Sequence, residues 1–283
     1  MSTLTESPAP RVEPAATLRE LALVDAKRYA THPLFLFGFV ANAALIYAAA
    51  RDRVPAPLGI AISPAFFLGV LGLVVAHRLT TSLGRSHELV DSMPSSERRR
   101  TAALCLACLV PFAAGLASAV AILVLTAAYP PELVPPHTQM AWFGDYSGVD
   151  VVAALLAIGA VASLGGPMLG ILIARWAPFR GSALLAIVVI FFVCESSTHW
   201  SVPWSVSLPW TALYDEYVSH GVVTHSVMWA GVSQVWYCVY ALLMCGLAAV
   251  GAMLHDPVDR QPLLWTGGAL AVAAAGAFAL TVA

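Results

Sequence analysis

Residues 102–128 read AALCLACLVPFAAGLASAVAILVLTAA, a run without one charged side chain. A helix that crosses a bilayer needs about 20 apolar residues at about 1.5 Å rise each, and this run is long enough. Further apolar segments lie at 34–50, 58–77, 149–176, 182–200, 233–254 and 262–283. Lipid offers the backbone no hydrogen-bond partner, so a spanning segment must satisfy its own amides, which a helix does. The alternating ten-residue pattern of barrel strands is absent. Composition agrees: 59% of the chain is hydrophobic and 11% charged, whereas a soluble domain carries about 25% charged residues. The expected fold class is an all-α polytopic membrane protein with six or seven transmembrane helices, 34–283, and an amphipathic cytoplasmic N-terminal helix.

The basic residues give a direction. Of the 14 Lys and Arg, Arg51 and Arg53 alone fall on one side of the spans. Arg11, Arg19, Lys27 and Arg28 precede the first span. Arg78, Arg85, Arg98, Arg99 and Arg100 follow the second, Arg175 and Arg180 the fourth, and Arg260 the sixth. The positive-inside rule then puts the amino terminus in the cytoplasm. The net charge of -2 gives no reason to expect nucleic acid. No cleavable signal peptide is evident, and the first span would act as an uncleaved anchor.

Residues 1–14, with Pro8, Pro10 and Pro14, read as a disordered tail. Residues 15–33 read as a connecting helix on the membrane surface, with Arg19, Lys27 and Arg28 near anionic lipid. Thr17 and Glu20 have capping-box spacing. Leu18, Leu21, Ala22 and Tyr29 form an apolar face that Asp25 interrupts. Between spans two and three, Gly84 and Pro94 bracket a short helix with a mixed apolar and acidic surface, a shape that a partner protein can grip. Ser95 or Ser96 can cap the third span, with Glu97 at its positive end. The external loops 129–148 and 201–232 lack Lys and Arg and are rich in Trp and Pro. Their Trp residues favour the membrane boundary, and 196–230 suits either a re-entrant hairpin or an interfacial loop.

Motor chemistry is missing. A phosphate-binding loop needs Lys after Gly, and the one lysine, Lys27, follows Ala26. Neither a His-Glu-x-x-His zinc motif nor a Gly-x-Ser-x-Gly elbow occurs. Cys105 and Cys108 share a helix face inside a span, which suits packing better than redox or metal chemistry. Glu195 lies about 20 Å along its helix from residue 182, with His199 one turn on. An acid at that depth can relay protons, gate a path, contact a substrate, or fasten the span by a hydrogen bond. His137, His199, His220 and His225 lie on the outer side without a ligand signature. Gly165, Gly166 and Pro167 interrupt the fourth span, as a hinge or as a packing notch.

Four stretches carry a family resemblance. They are Leu21–Arg28 running through Thr31-His32-Pro33-Leu34-Phe35; Glu88–Pro94 followed by Arg99–Leu104; Gly165–Gly170 leading to Ala174-Arg175-Trp176; and Pro262-Leu263-Leu264 with its Ala-rich run. Together they resemble the permease subunits of type-2 ABC exporters, in particular the compact actinobacterial ones. The resemblance implies a bacterial cytoplasmic membrane protein that is not itself an enzyme and holds no cofactor. It would pair with a second permease copy or a homologous permease and with two cytoplasmic ABC ATPase subunits that carry ATP and Mg. Residues 15–33 would be the connecting helix. His87, Glu88, Leu89, Val90, Asp91, Ser92 and Met93 would couple to the ATPase. Span five would lead into re-entrant external helices. A hydrophobic or amphiphilic substrate (drug, lipid or peptide) would move outward between the permeases. The residues alone also leave open a proton- or ion-coupled transporter using Glu195 and an external metal-handling protein.

Overall fold

A computed structural model describes residues 17–51, 60–85, 96–128, 147–197, 215–219, 222–226, 232–258 and 260–283. Helix α1, Leu18–Ala30, opens on the expected capping box: Thr17 Oγ1 accepts from the Glu20 amide at 3.3 Å, and the Thr17 amide donates to Glu20 Oε2 at 2.8 Å. Two orphan donors of the first turn are thereby satisfied. The packed face of α1 is the expected one except at Leu18: Tyr29 is buried, and Leu21 and Ala22 are half-buried. Asp25 and Tyr29 are buried, whereas Leu18, Leu23 and Val24 are exposed. Asp25 therefore belongs to the packed face rather than interrupting an apolar one. Burial raises its carboxyl above the usual range, and Arg28, 3.7 Å away, opposes that rise. Tyr29 fastens the helix, its hydroxyl donating to the Gly72 carbonyl at 3.2 Å.

The membrane part follows as α2, Pro33–Arg51; a π-helical stretch, Ala65–Val70, running into α3, Leu71–Arg85; α4, Glu97–Ala107, and α5, Leu109–Ala128; and α6, Gly148–Leu155. A second π-helical stretch, Leu156–Val161, continues α6 into α7, Ala162–Trp176. Then come α8, Ser182–Ser197; α9, Gln234–Met253; and α10, Gln261–Val282. Among the described residues six helices are long and apolar enough to cross a membrane: Pro33–Arg51, Ala65–Ser82, Glu97–Leu125, Gly148–Trp176, Gln234–Met253 and Gln261–Val282. The protein is a multi-pass α-helical membrane protein. The final segment is one of these six, and the fifth is the shorter apolar helix α8. Among the described residues the apolar part of α8 covers Ser182–Val193, about 18 Å of helix against a hydrocarbon core of about 30 Å.

Two other boundaries move. The second span runs on past residue 77 to Ser82. Its polar end is tolerated because Thr80 Oγ1 donates to the Ala76 carbonyl at 2.8 Å, Thr81 Oγ1 to that of His77 at 3.0 Å, and Ser82 Oγ to that of Leu79 at 2.9 Å. The third span breaks between α4 and α5 at Cys108, where Pro111 has no amide to donate to the Ala107 carbonyl. The expected external re-entrant helices are corrected in part. Residues Asp215–Ser219 and Val222–Ser226 form two antiparallel strands, β1 and β2, with Asp215 opposite Ser226 and Ser219 opposite Val222. Val218, Val222, Val223 and Thr224 favour extended backbone, and His220-Gly221 leaves two residues for the connection.

The fourth span is the centre of the bundle. Its most apolar window is 67% buried, against 11% for α10. It packs on α3, α5 and α9. Glycine decides how closely. A Cβ on Gly166 would stand 2.1 Å from the Gly69 carbonyl oxygen, and one on Gly170 would stand 2.3 Å from that of Leu73. The two spans thus touch backbone to backbone, as small residues permit inside lipid. Gly165, Gly166 and Pro167 lie in continuous helix, with Gly166 at this contact. Gly166→Leu should cost about 3 kcal/mol through overpacking and yield aggregated or unstable protein in detergent. Gly268→Leu, at a position with open space around it, should keep the wild-type gel-filtration profile and melting temperature.

Candidate functional site

Two polar arrangements stand out from the apolar bundle. The first lies midway along α2. Asn42 is buried, and its Nδ2 donates to Ser118 Oγ of α5 at 2.7 Å. Ser63 Oγ donates to Asn42 Oδ1 at 2.8 Å, and Ser118 Oγ donates on to the Ala114 carbonyl at 2.9 Å. A cleft of about 540 Å³ opens above this pair between α2 and α5, walled by Phe39, Ile46, Tyr47, Val124 and Leu125. It offers apolar walls over one polar spot. Its chemistry suits an amphiphilic molecule, whose orientation the few polar groups would set.

The second arrangement gathers at the arginine-bearing end of the bundle. Ser96 caps α4, its hydroxyl accepting from the Arg99 amide at 3.3 Å. The cap aims Glu97 at the last turn of α7. Glu97 Oε1 takes Nη1 of Arg175 at 2.6 Å and lies 3.1 Å from His255 Nδ1 in the α9–α10 connection. Asp256 completes the junction. Its two oxygens accept the backbone amides of Val258 and Arg98, both at 3.0 Å. The Arg98 guanidinium donates to the Val258 carbonyl. Trp176 closes the edge, donating from Nε1 to the Gly251 carbonyl at 2.9 Å with its ring against His255. One polar junction therefore ties the third span, the fourth span and the last two together, and α1 packs along α4 beside it.

The residues singled out from the sequence fare differently. Arg19, Lys27 and Arg28 lie on exposed positions of α1. His87, Glu88, Leu89, Val90, Asp91, Ser92 and Met93 lie outside the described residues, as do the tail 1–14 and His137, His199 and His220. Glu195 belongs to α8, but its side chain lies outside the described atoms, as does that of His225 in β2. Cys105 and Cys108 are buried free thiols. Among the described residues no three His, Cys, Asp or Glu side chains converge on a metal position.

Asn42 and the junction of Glu97, Arg175, His255 and Asp256 escaped the sequence reading. Asn42 carried a usable signal, since it is the only asparagine and stands in an apolar run. The junction carried little, because its members are far apart in the chain. Comparison of the chain with protein-family models, with curated proteins and with solved structures finds no match.

The Val258 amide, and after it the Arg98 amide and charge, hold the Asp256 carboxyl below its usual range. A depressed folded value means that its stabilisation is complete above the unfolded carboxylate pKa of about 4 and is lost as pH falls through the lower folded value. Melting temperature in detergent should therefore be level on this account above about pH 5 and fall in stronger acid, with a shallower fall in Asp256→Asn. Glu97→Gln should cost about 2 kcal/mol, because it removes the charge that the Arg175 guanidinium faces. Glu97→Asp should recover part of that loss in the same thermal unfolding measurement.

Proposed function

We propose that this chain is the permease subunit of an ATP-driven exporter in the bacterial cytoplasmic membrane. It works as a pair with a second copy or a homologous permease, and two separate ABC ATPase subunits supply the energy. The amino terminus is cytoplasmic, and the arginine-bearing end faces the ATPases. A hydrophobic or amphiphilic substrate moves outward.

The observation that carries the reading is the locking of the first turn of α4, which Glu97 and Asp256 tie to the fourth span and to the last two. A push delivered at that turn would reach several spans as one movement rather than bend a single helix. Tyr29 ties α1 to α3, so the connecting helix would move with them. The arginines Arg98, Arg99, Arg100, Arg175 and Arg260 at that end agree with a cytoplasmic orientation. The lack of a phosphate-binding loop in the chain agrees with a motor on another subunit. The cleft over Asn42 and Ser118 gives an amphiphile a place to dwell within the membrane.

An affinity-tagged copy expressed in its source cells should copurify with an ATPase that carries a phosphate-binding loop, and the reconstituted complex should hydrolyse ATP faster when substrate is added. Glu88→Ala with Asp91→Ala should lower that stimulation about tenfold, as loss of about 1.4 kcal/mol of coupling implies, while the protein still inserts in the membrane. Transport that follows the proton gradient with no ATPase present would instead favour the ion-coupled alternative.

A further inference from the structure

Among the described residues, positive charge at the junction exceeds the acid that meets it. Arg100 stands in the first turn of α4 and Arg175 in the last turn of α7. Arg175 is held on Glu97, and Arg100 follows Glu97 by three residues on the same face of α4, so both guanidinium groups belong to one junction. Among the described residues Glu97 and Asp256 are the acids of the junction, and both are engaged. Glu97 Oε1 serves Arg175 and His255, and the Asp256 oxygens serve the amides of Val258 and Arg98. Nε and Nη1 of Arg100 and Nε of Arg175 are buried with no hydrogen-bond partner.

Such an arrangement is incomplete as it stands. A guanidinium keeps its charge at any physiological pH, and its planar fork of donors matches the oxygens of a phosphate. Buried donors without partners are rare in native proteins and point to a bound group. Both arginines stand at the ends of spanning helices, which is headgroup depth in a bilayer. Anionic lipid phosphates at that level attract arginine.

We propose that Arg100 and Arg175 together hold one phosphate group, contributed either by the headgroup of an anionic phospholipid or by free phosphate. The Arg100 edge supplies two donors and the Nε of Arg175 a third, while Nη1 of Arg175 stays on Glu97. The bound phosphate separates the two positive charges and stitches the third span to the fourth. This site is independent of the export reading, because it needs neither an ATPase nor a transported substrate.

The test uses the full-length protein, delipidated in detergent. It is titrated separately with phosphatidylglycerol, phosphatidylcholine and inorganic phosphate at constant ionic strength. Binding is read as a shift in melting temperature and as an adduct in native mass spectrometry. Phosphatidylglycerol should bind and stabilise, and phosphatidylcholine should do so far less. A response to phosphatidylglycerol alone assigns the lipid headgroup; a saturable response to inorganic phosphate assigns the free ion. Arg100→Gln should weaken binding about thirtyfold, through loss of charge-assisted hydrogen bonds. Arg99→Gln removes the same charge from an exposed position of the same turn and should weaken it less than about fivefold. Equal loss in the two variants would reduce the effect to general surface attraction and overturn the site. So would wild-type protein that responds to neither ligand, or equally to both lipids, a result that does not depend on whether Arg100→Gln folds.

Discussion

The backbone contact between the second and fourth spans sets the rest of the bundle. Gly166 lies against Gly69 and Gly170 against Leu73 at distances that no side chain could share. Lipid tails are as apolar as leucine, so burial of apolar surface gives two spans little reason to associate. Close packing supplies that reason, and it needs surfaces without side chains. Once the two helices are locked, the fourth span becomes the pillar on which α5 and α9 pack. The Ser163 hydroxyl fits the same scheme, donating to the Gly159 carbonyl of its own helix at 2.6 Å.

Polar groups in this bundle are handled in two ways. Thr80, Thr81 and Ser82 fold their hydroxyls back on their own helix and need no neighbour. Asn42 and Glu97 instead reach across to other spans. The cross-helix links fix which helices move together, because breaking one strands a polar group where water is scarce. Asn42 joins the first span to the third at mid-depth, and Glu97 joins the third to the fourth at the arginine-bearing end. The coupling proposal rests on that second link, and the phosphate proposal on the charge left over beside it.

Much of the fold was legible in the residues. Apolar length alone located the six long helices among seven apolar segments, and the Thr17–Glu20 box and a cap at Ser95 or Ser96 were visible because capping is local chemistry with fixed spacing. The second span was drawn too short because hydropathy counts Thr and Ser as polar without asking where their hydroxyls go. Asp25 lies on the face of α1 that the apolar pattern marks, and its burial there depends on a neighbouring helix that hydropathy does not name. The strands after α8 are hard to read from sequence because they are five residues each, in a stretch whose tryptophan and proline content suggests a membrane-boundary loop. At the candidate site, Glu97 was recognised as a first-turn acid, but its partners were not, since Arg175 and His255 share no periodicity with it.

By itself the sequence determined that the chain lives in a membrane as helices, and which end of the bundle carries the arginines. Both follow from the cost of exposing backbone or charge to lipid, which each segment incurs alone. Tertiary structure decided whether Gly166 serves as a contact, whether Asp25 of α1 is buried, and where the arginines outnumber their carboxylates. Those outcomes depend on which helices become neighbours. Neighbours are selected by steric fit and hydrogen bonds between segments far apart in the chain, which no local pattern records.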